Sequence, residues 1–548
     1  MDTEYELELR RRLEILKTQM ADGRVKFLPH VFESIKDSML AVRYGLDGQI
    51  DLSTVDASVR ALAMTVTVMK DREDAKKAVS LHDLQRGYFE TIEVNFGRYH
   101  RIMVNKKLTP HDVARSISNN QDLVEEISSS FPDFLNWVEK LWESASDIAS
   151  IHIEDTRALK AVFGGDLFPS NQRNIASSCG VYVDTIVLPD PFIRTKMFLT
   201  SDNKSKAVYY LIKHALNLLN YKELALADVN PPMVVVVPDR SLIEQSEDKL
   251  LADVSEQDTI THVNRLFRQT FSTIDDAMDF VKPLLKAEQA IRAVKDRSRV
   301  LFDTELREPL EQQLQEYLDE YLSPLGYKHA GQALVLHAAG RMRQANDVLL
   351  RSRYLGGVPL IDAPTSWKYF QWKLEYDAGK IDHDNMVNLH LSKALQTAAD
   401  GEMTWLGNVP PVALVEMRKV GAISELRQML SAGVAEMVET NPSNFHRTSD
   451  QVIHNLQSAF DAHRKELAAL KGKKWRFAGI DLGTCVVRGA VEIASACGVP
   501  VVSLIKTALE EVVDAPKIKE IPERYRQLKE EDKRLKRSPV GILFRHQK

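Results

Sequence analysis

The spacing of apolar residues predicts helices along most of this chain. Near the amino terminus, Leu9, Leu13, Leu16 and Met20 are separated by four, three and four residues, and charged residues fill the positions between them. This spacing places the four apolar side chains on one face of a helix. We expect that face to pack against its own domain. The alternative is an oligomerisation helix, although the pattern spans fewer than three heptads.

Two short apolar runs interrupt the helical pattern. Residues 181–188 (VYVDTIVL) and 233–237 (MVVVV) are rich in β-branched side chains, and each is followed by Pro-Asp. Such runs are typical of buried strands. Between them, residues 204–221 have helical spacing, and Asn230-Pro231-Pro232 ends that helix. Strand, helix and strand in this order predict a βαβ unit whose parallel strands are buried on both faces.

The fold is therefore predicted to be mainly α-helical and multidomain, with a small α/β (βαβ) insert around residues 160–245. Residues 358–361 could add one further short strand. Changes in pattern divide the chain into an N-terminal helical domain (1–150), the α/β insert (151–250), a second helical domain (251–470) and a small C-terminal segment with a basic tail (471–548).

The composition is that of an ordinary globular protein. The 548 residues are 44% hydrophobic and 27% charged, with a formal net charge of -5, which argues against bulk attraction to nucleic acid or to an anionic membrane. The three cysteines form no CxxC pair, so neither a disulfide framework nor a zinc site is expected. The first residues lack the basic and then apolar order of a signal peptide. We expect a cytoplasmic protein that does not bind membranes.

The charge is unevenly distributed. From Lys517 to Lys548 the chain has eleven Lys and Arg against five Asp and Glu. Such a tail could contact nucleic-acid phosphates or an acidic protein partner, and a solvated arm is the simpler alternative. The residues that would make these contacts are Lys533, Arg534, Lys536 and Arg537.

A second candidate surface for nucleic acid combines basic and aromatic residues. Arg341, Arg343, Arg351 and Arg353 precede an aromatic run that begins at Trp367, and aromatic rings beside cations can stack on single-stranded bases. At about 100° per residue, however, the four arginines surround the helix and form no stripe. A helix covered with ion pairs, with the aromatic side chains in the core, is the alternative.

Two aspartates are the candidate catalytic residues. Asp190 and Asp239 directly follow the two predicted strands. If these strands are parallel neighbours, both carboxylates lie at the edge of the sheet where ligands usually bind. They could then hold a divalent cation or transfer protons, and Asp166 and Asp184 could join them, although Asp184 lies within its predicted strand. The alternative is ordinary turn chemistry, because Pro-Asp is common in turns and Asp190 precedes Pro191.

The same region resembles the motif of a metal-dependent nuclease family. Pro238-Asp239 is followed by Glu247-Asp248-Lys249, as in the Pro-Asp…(Asp/Glu)-x-Lys pattern. That family places the second half of the motif on a neighbouring strand. Residues 242–254 here have helical character, so these side chains are not expected to converge on one metal ion.

Two functions follow from these patterns. The first is an interaction or regulatory component of a larger system, such as bacterial stress response or phage defence, with a protein partner and a possible homo-oligomer. The second is a metal-dependent phosphoesterase or nuclease that uses Asp190 and Asp239 with a divalent cation. The sequence leaves open whether the protein is an enzyme.

Overall fold

The computed structural model describes residues 4–26, 29–46, 48–171, 174–200, 203–239, 245–304, 306–376, 383–401, 403–472, 476–477, 480–481, 530 and 533–546. Before the first strand the chain is helical. The helices are α1 (Glu4–Ala21), α2 (Pro29–Leu40), α3 (Ala57–Ala78), α4 (Leu81–Lys106), α5 (Pro110–Ser118) and α6 (Gln121–Glu154), with a 3-10 turn at Leu52–Thr54.

The middle of the chain contains three short strands among helices. In chain order the elements are β1 (Lys160–Phe163), α7 (Ile175–Cys179), β2 (Thr185–Pro189), α8 (Pro191–Arg194), α9 (Lys196–Leu199), α10 (Lys204–Leu219), α11 (Lys222–Ala225) and β3 (Val234–Val237).

A long helical region separates β3 from the fourth strand. It comprises α12 (Gln245–Phe267), α13 (Ile274–Val281), α14 (Ala287–Ala293), α15 (Leu310–Tyr317), a π-helical turn (Leu318–Leu322), α16 (Ala330–Tyr354) and 3-10 turns at Arg297–Arg299 and Ser323–Leu325. Then follow β4 (Gly357–Leu360), α17 (Pro364–Tyr376), α18 (His383–Asp400), a 3-10 turn (Thr404–Asn408), α19 (Pro411–Lys419), α20 (Ala422–Ser431), α21 (Val434–Thr440), α22 (Phe445–Gly472), β5 (Arg476–Phe477), β6 (Ile480–Asp481) and α23 (Pro539–His546).

The chain divides into two compact units. One comprises Met1–Gly87 and Glu143–Asp155, and the other comprises Tyr88–Trp142 and Thr156–Lys548. In the first unit Leu9, Leu13 and Leu16 of α1 are buried in a core shared with α3. This confirms that α1 packs within its own domain. The proposed boundaries at residues 150, 250 and 470 stay predictions.

The second unit is built around a four-stranded sheet. Its strand order is β3-β2-β1-β4, and all three pairings are parallel. Every residue of the four strands is buried, because helices cover parallel sheets on both faces. The mainly helical class with a small α/β region is confirmed, as are the predicted strand near 358–361 and the parallel pairing of β2 with β3.

The first predicted strand begins later than its sequence suggests. Residues 181–183 are buried and Asp184 is half-buried, but none of the four is part of β2. The backbone N–H groups of Tyr182 and Val183 both donate to the carbonyl of Cys179, so these residues form the turn that closes α7. The central strand β1 was not predicted, because it has only four residues and begins with Lys160.

The C-terminal part of the described chain packs against preceding helices. Helix α23 contacts α19, α20 and α22, and its Ile542 and Leu543 are fully buried. Among the residues described, no helix is both long and apolar enough to cross a membrane.

Candidate functional site

The carboxyl ends of the four parallel strands lie at one edge of the sheet, and Asp190 follows β2 there. Its side chain is 1% exposed and caps α8, since Oδ1 accepts hydrogen bonds from the N–H groups of Phe192 and Ile193, both at 2.8 Å. The other oxygen, Oδ2, accepts from Tyr88 Oη and Trp142 Nε1, both at 2.7 Å. Both oxygens are therefore engaged by protein donors.

These contacts correct the catalytic role predicted for Asp190. Burial raises the pKa of its carboxyl, and the four donors oppose that rise. A carboxylate enclosed in this way has no oxygen facing a ligand. Asp190 instead caps the start of α8 and connects it to α4 and α6. The sequence had offered a turn role as the alternative, and it did not predict the cap.

Asp239 follows β3, the neighbouring strand, and its environment is ionic. Arg194 at the end of α8 donates two hydrogen bonds to Asp239, from Nε to Oδ2 at 2.6 Å and from Nη2 to Oδ1 at 2.5 Å. Arg351 of α16 also donates to Oδ1. Burial alone would raise the pKa of Asp239, but Arg351 and then Arg194 outweigh it, so the pKa is lowered. Asp239 is thus ionised at neutral pH and is a poor general base.

Arg351 is a deeply buried cation at this edge. Its side chain is 3% exposed and pairs with Asp239 and with Asp347 one turn earlier on α16. Its Nε is buried and has no hydrogen-bond partner within the described residues. Because a buried guanidinium loses much of its hydration, it must be held by opposite charges. Two carboxylates supply them here.

The turn after β1 approaches this ion-pair network closely. A Cβ atom at Gly164 would lie 2.5 Å from Val348 Cγ2, and Gly165 has φ +78°, so both positions favour glycine. Arg194 Nη1 donates to the carbonyl of Asp166 at 2.6 Å. Arg194 therefore links the ends of β1, β2 and β3.

The end of β4 adds a further carboxylate. Asp362 accepts a hydrogen bond from the N–H of Ser170 at 3.0 Å. Burial raises the pKa of Asp166, and the nearby charge of Asp362 adds to the rise, while Lys213 of α10 and Arg194 oppose it. Burial likewise lowers the pKa of Lys213, against the attraction of Asp166. We name Asp166, Arg194, Lys213, Asp239, Arg351 and Asp362 the strand-end cluster.

The strand-end cluster occupies a favourable position in this topology. Because β4 pairs with β1 on the side opposite β2, the strand order reverses between β1 and β4. Ligands of open α/β sheets bind beyond the carboxyl ends of the strands at such a reversal. Asp166 is exposed and Asp239 is half-buried, so solvent reaches both carboxylates.

The structure separates the residues proposed to bind nucleic acid. Arg351 belongs to the buried ion-pair network, whereas Arg353 on the same helix is exposed. Trp367 is 9% exposed; its ring packs edge-on against Phe445, with the Lys393 ammonium 4.4 Å above its centre. Arg351 and Trp367 are therefore core residues and not a stacking surface, which corrects that prediction.

The basic tail is partly described. Residues 533–537 are helical, and Lys533, Arg534, Lys536 and Arg537 are exposed. Arg534 and Arg537 line a surface groove of about 890 Å³ together with Glu425 and Glu466 of the preceding helices. The tail between residues 517 and 529 lies outside the described residues.

The second half of the nuclease-like motif lies on a helix. Residues 247–249 are in α12 and not on a strand beside β3, as their spacing predicted. Within the described part of the chain, no group of three or more His, Cys, Asp or Glu is arranged to hold a metal ion.

Sequence reasoning missed several members of the strand-end cluster. Arg194, Lys213 and Asp362 were not proposed. One signal could have found Asp362: it follows an apolar strand within two residues, as Asp190 and Asp239 do. The two cations carried no local signal, because their role depends on carboxylates far away in the sequence.

Comparison with known proteins adds no further constraint, since no family model, no curated protein and no solved structure matches this chain.

Proposed function

We propose that this protein is a regulatory component that binds a nucleoside triphosphate, together with a divalent cation, at the strand-end cluster. The observation that carries the proposal is the position of two nearly buried arginines, Arg194 and Arg351, beside a Gly-Gly turn at the reversal of a parallel sheet. Nucleotides bind at this position in many doubly wound folds, where glycines let the backbone approach phosphate groups.

Two kinds of side chain in the cluster suit the two parts of such a ligand. Lys213 provides positive charge for phosphate oxygens, and the guanidinium of Arg194 matches the geometry of phosphates if a ligand draws it from Asp239. Asp166 and Asp362 provide hard oxygen ligands. Mg²⁺ is commonly held by one or two carboxylates together with substrate phosphates and water, so a set of three protein ligands is not required.

The charges of Asp166 and Asp362 also favour a divalent cation between the two carboxylates. Each carboxylate raises the energy of the other, which adds to the increase in the pKa of Asp166. A cation between them would remove that repulsion and keep Asp166 ionised. Arg194 and Arg351 are already paired with Asp239 and Asp347. The divalent cation would therefore also offset the negative charge of a bound polyphosphate.

The ion-pair network offers a route from ligand binding to regulation. Arg194 joins the ends of three strands, and Arg351 lies on α16, which also packs against α12 and α17. A phosphate that draws either arginine away from Asp239 would change contacts between these elements. A ligand can shift a conformational equilibrium only through such differential contacts.

Thermal unfolding of the full chain tests the proposal. We expect ATP with Mg²⁺ to raise the melting temperature, because a ligand of the native state stabilises it by about 2.7 kcal/mol at 100 times its Kd. Asp166→Asn/Asp362→Asn should lose most of the effect of Mg²⁺, and Lys213→Gln should weaken binding of the nucleotide. Asp450→Asn/Asp461→Asn is the matched control, since both residues are exposed on α22.

Two outcomes would contradict the proposal. In the first, neither ATP nor GTP changes the melting temperature of the wild type, with or without Mg²⁺. In the second, the cluster variant and the control variant respond equally, which would indicate an effect of overall charge.

A catalytic version of the same site is the second candidate, and the raised pKa of Asp166 favours it. A raised pKa moves a carboxyl toward the range in which it can transfer protons. We propose metal-dependent phosphate ester hydrolysis with Asp166 in the role first predicted for Asp190 and Asp239. Release of phosphate from a phosphate monoester in the presence of Mg²⁺, lost in Asp166→Asn and kept in Asp461→Asn, would support it.

A further inference from the structure

The opposite edge of the sheet has a pocket of its own. Its walls include Arg157 and Ala158 ahead of β1, Asp184 ahead of β2, and residues 228–231 ahead of β3. Because the strands are parallel, these segments lie at the amino-terminal edge, away from the strand-end cluster. Arg418, Lys419 and Arg427 close the pocket, which has a volume of about 450 Å³. We name it the amino-edge pocket. Its size is within the range of small-molecule sites, about 300–1,000 Å³.

The amino-edge pocket is built around one carboxylate with two arginines. Arg418 Nη1 hydrogen-bonds to Asp184 Oδ1, and Arg427 Nη2 lies 2.9 Å from the same oxygen. Asp184 Oδ2 accepts from the N–H of Leu159 at 2.9 Å. The arginines are fixed further by backbone carbonyls, Arg418 by that of Pro231 and Arg427 by that of Tyr182. They are therefore held in place before any ligand arrives.

The charges in the pocket do not balance. The lining has four cations, Arg157, Arg418, Lys419 and Arg427, but only two carboxylates, Asp184 and Asp228. One carboxylate cannot neutralise two guanidinium groups, and Arg157 and Lys419 are exposed at the rim. Arg427 Nη2 is buried against Asp184. The excess positive charge of the lining is therefore at Arg157 and Lys419.

The start of α20 reinforces this electrostatic preference. Gly421, at the N-cap of α20, has no side chain to cap the helix, and Gly421, Ile423 and Ser424 line the pocket. The first N–H groups of a helix lack partners within it and favour negative charge. The helix end thus adds to the positive character that the four cations create.

We propose that the amino-edge pocket binds a small phosphate-bearing anion, at a second site independent of the strand-end cluster. The exposed guanidinium of Arg157 can donate to phosphate oxygens, and the cations at the rim increase the local concentration of anions. A phosphate group would offset the excess positive charge of the lining. The site needs no metal ion, in contrast to the strand-end cluster.

Binding of inorganic pyrophosphate to the full chain, measured by calorimetry with EDTA and at constant ionic strength, tests this site. We expect the wild type to bind with a Kd below about 1 mM, and Arg157→Gln/Lys419→Gln to bind at least about tenfold more weakly. Both substitutions are at exposed positions, so the fold should be unaffected. Arg464→Gln/Lys465→Gln on α22 removes the same charge at exposed positions away from the pocket.

The proposal is overturned if the wild type binds no pyrophosphate, or if the two double variants are weakened equally. Asp166→Asn/Asp362→Asn should bind metal-free pyrophosphate as the wild type does. This last comparison separates the two sites. A variant that loses only the effect of Mg²⁺ and nucleotide still has a functional amino-edge pocket. A variant that loses only pyrophosphate binding still has a functional strand-end cluster.

Discussion

The segments that end β2 and β3 have nearly the same sequence, but the aspartates that follow them lie in opposite chemical environments. Each strand is an apolar run followed by Pro-Asp, and Pro189 pairs with Val237 across the two strands. Neutral donors from Tyr88, Trp142 and the start of α8 surround Asp190, whereas two guanidinium groups hold Asp239. Burial raises the pKa of Asp190, and the arginines lower that of Asp239.

This difference shows that a local motif does not assign a role to a carboxylate. Pro-Asp after a buried strand predicts where the side chain lies, namely at the carboxyl edge of the sheet. What the side chain does there depends on residues about 100 positions away, since Tyr88 and Arg351 are separated from their aspartates by 102 and 112 residues. Mutations at the two ends should therefore have different costs.

The largest expected effect is at Asp190. Asp190→Ala removes a helix cap, which contributes about 1 kcal/mol, and leaves the buried donors of Tyr88 and Trp142 without an acceptor, at about 1–3 kcal/mol each. We expect the free energy of unfolding to fall by about 3–5 kcal/mol in urea titrations.

Two further variants make this prediction specific. Asp190→Asn keeps the cap through its amide oxygen, so its loss should be smaller than that of the alanine variant, although its amide nitrogen can accept from neither Trp142 Nε1 nor Tyr88. Tyr88→Phe should remove part of the cost of Asp190→Ala when the two changes are combined. If Asp190→Ala were as stable as the wild type, the buried hydrogen bonds would contribute nothing.

A moderate effect is expected at Asp239. Asp239→Asn removes the negative charge that pairs with Arg194 and Arg351. In a fully buried ion pair, loss of one partner costs about 3–5 kcal/mol. Because the side chain of Asp239 is 33% exposed, we expect a loss of about 2 kcal/mol by the same titration.

The double variant Asp239→Asn/Arg351→Met sharpens this test. It removes a buried cation together with its anion, so it should be more stable than Asp239→Asn alone. Arg353→Met is the control on the same helix, and this exposed substitution should change stability by less than about 0.5 kcal/mol. Equal losses for Arg351→Met and Arg353→Met would show that burial of Arg351 has no energetic consequence.

The smallest and most discriminating effect is on pH dependence. The lowered pKa of Asp239 contributes stability above the ordinary carboxyl pKa of 3.8, and this contribution is lost as the pH falls through the lowered value. The raised pKa of Asp190 acts in the opposite sense: its contribution is present below 3.8 and is lost as the pH rises through the raised value.

Unfolding free energies of the wild type, Asp190→Asn and Asp239→Asn should therefore be compared between pH 2 and 7. The advantage of the wild type over Asp239→Asn should shrink on acidification, while its advantage over Asp190→Asn should grow. If both differences changed in the same direction, the contrast between the two strand ends would be wrong.

Much of the fold could be predicted from the sequence because it depends on local patterns. Apolar runs of β-branched residues are suited to buried strands, and the helical spacing between residues 204 and 221 provides the connection that parallel strands need. Helix α1 also follows from its 4-3-4 spacing. Strand β1 was missed because a four-residue strand that begins with Lys160 has no such pattern.

By itself, then, the sequence determined the helical class, the parallel strands and the presence of aspartates at their carboxyl ends. Tertiary structure alone decided which aspartate is sealed by hydrogen bonds, which one holds arginines, and that Arg194, Lys213 and Asp362 share their edge. The physical reason is range: strands and helices arise from neighbouring residues, whereas burial and charge pairing depend on groups that only the folded chain brings together.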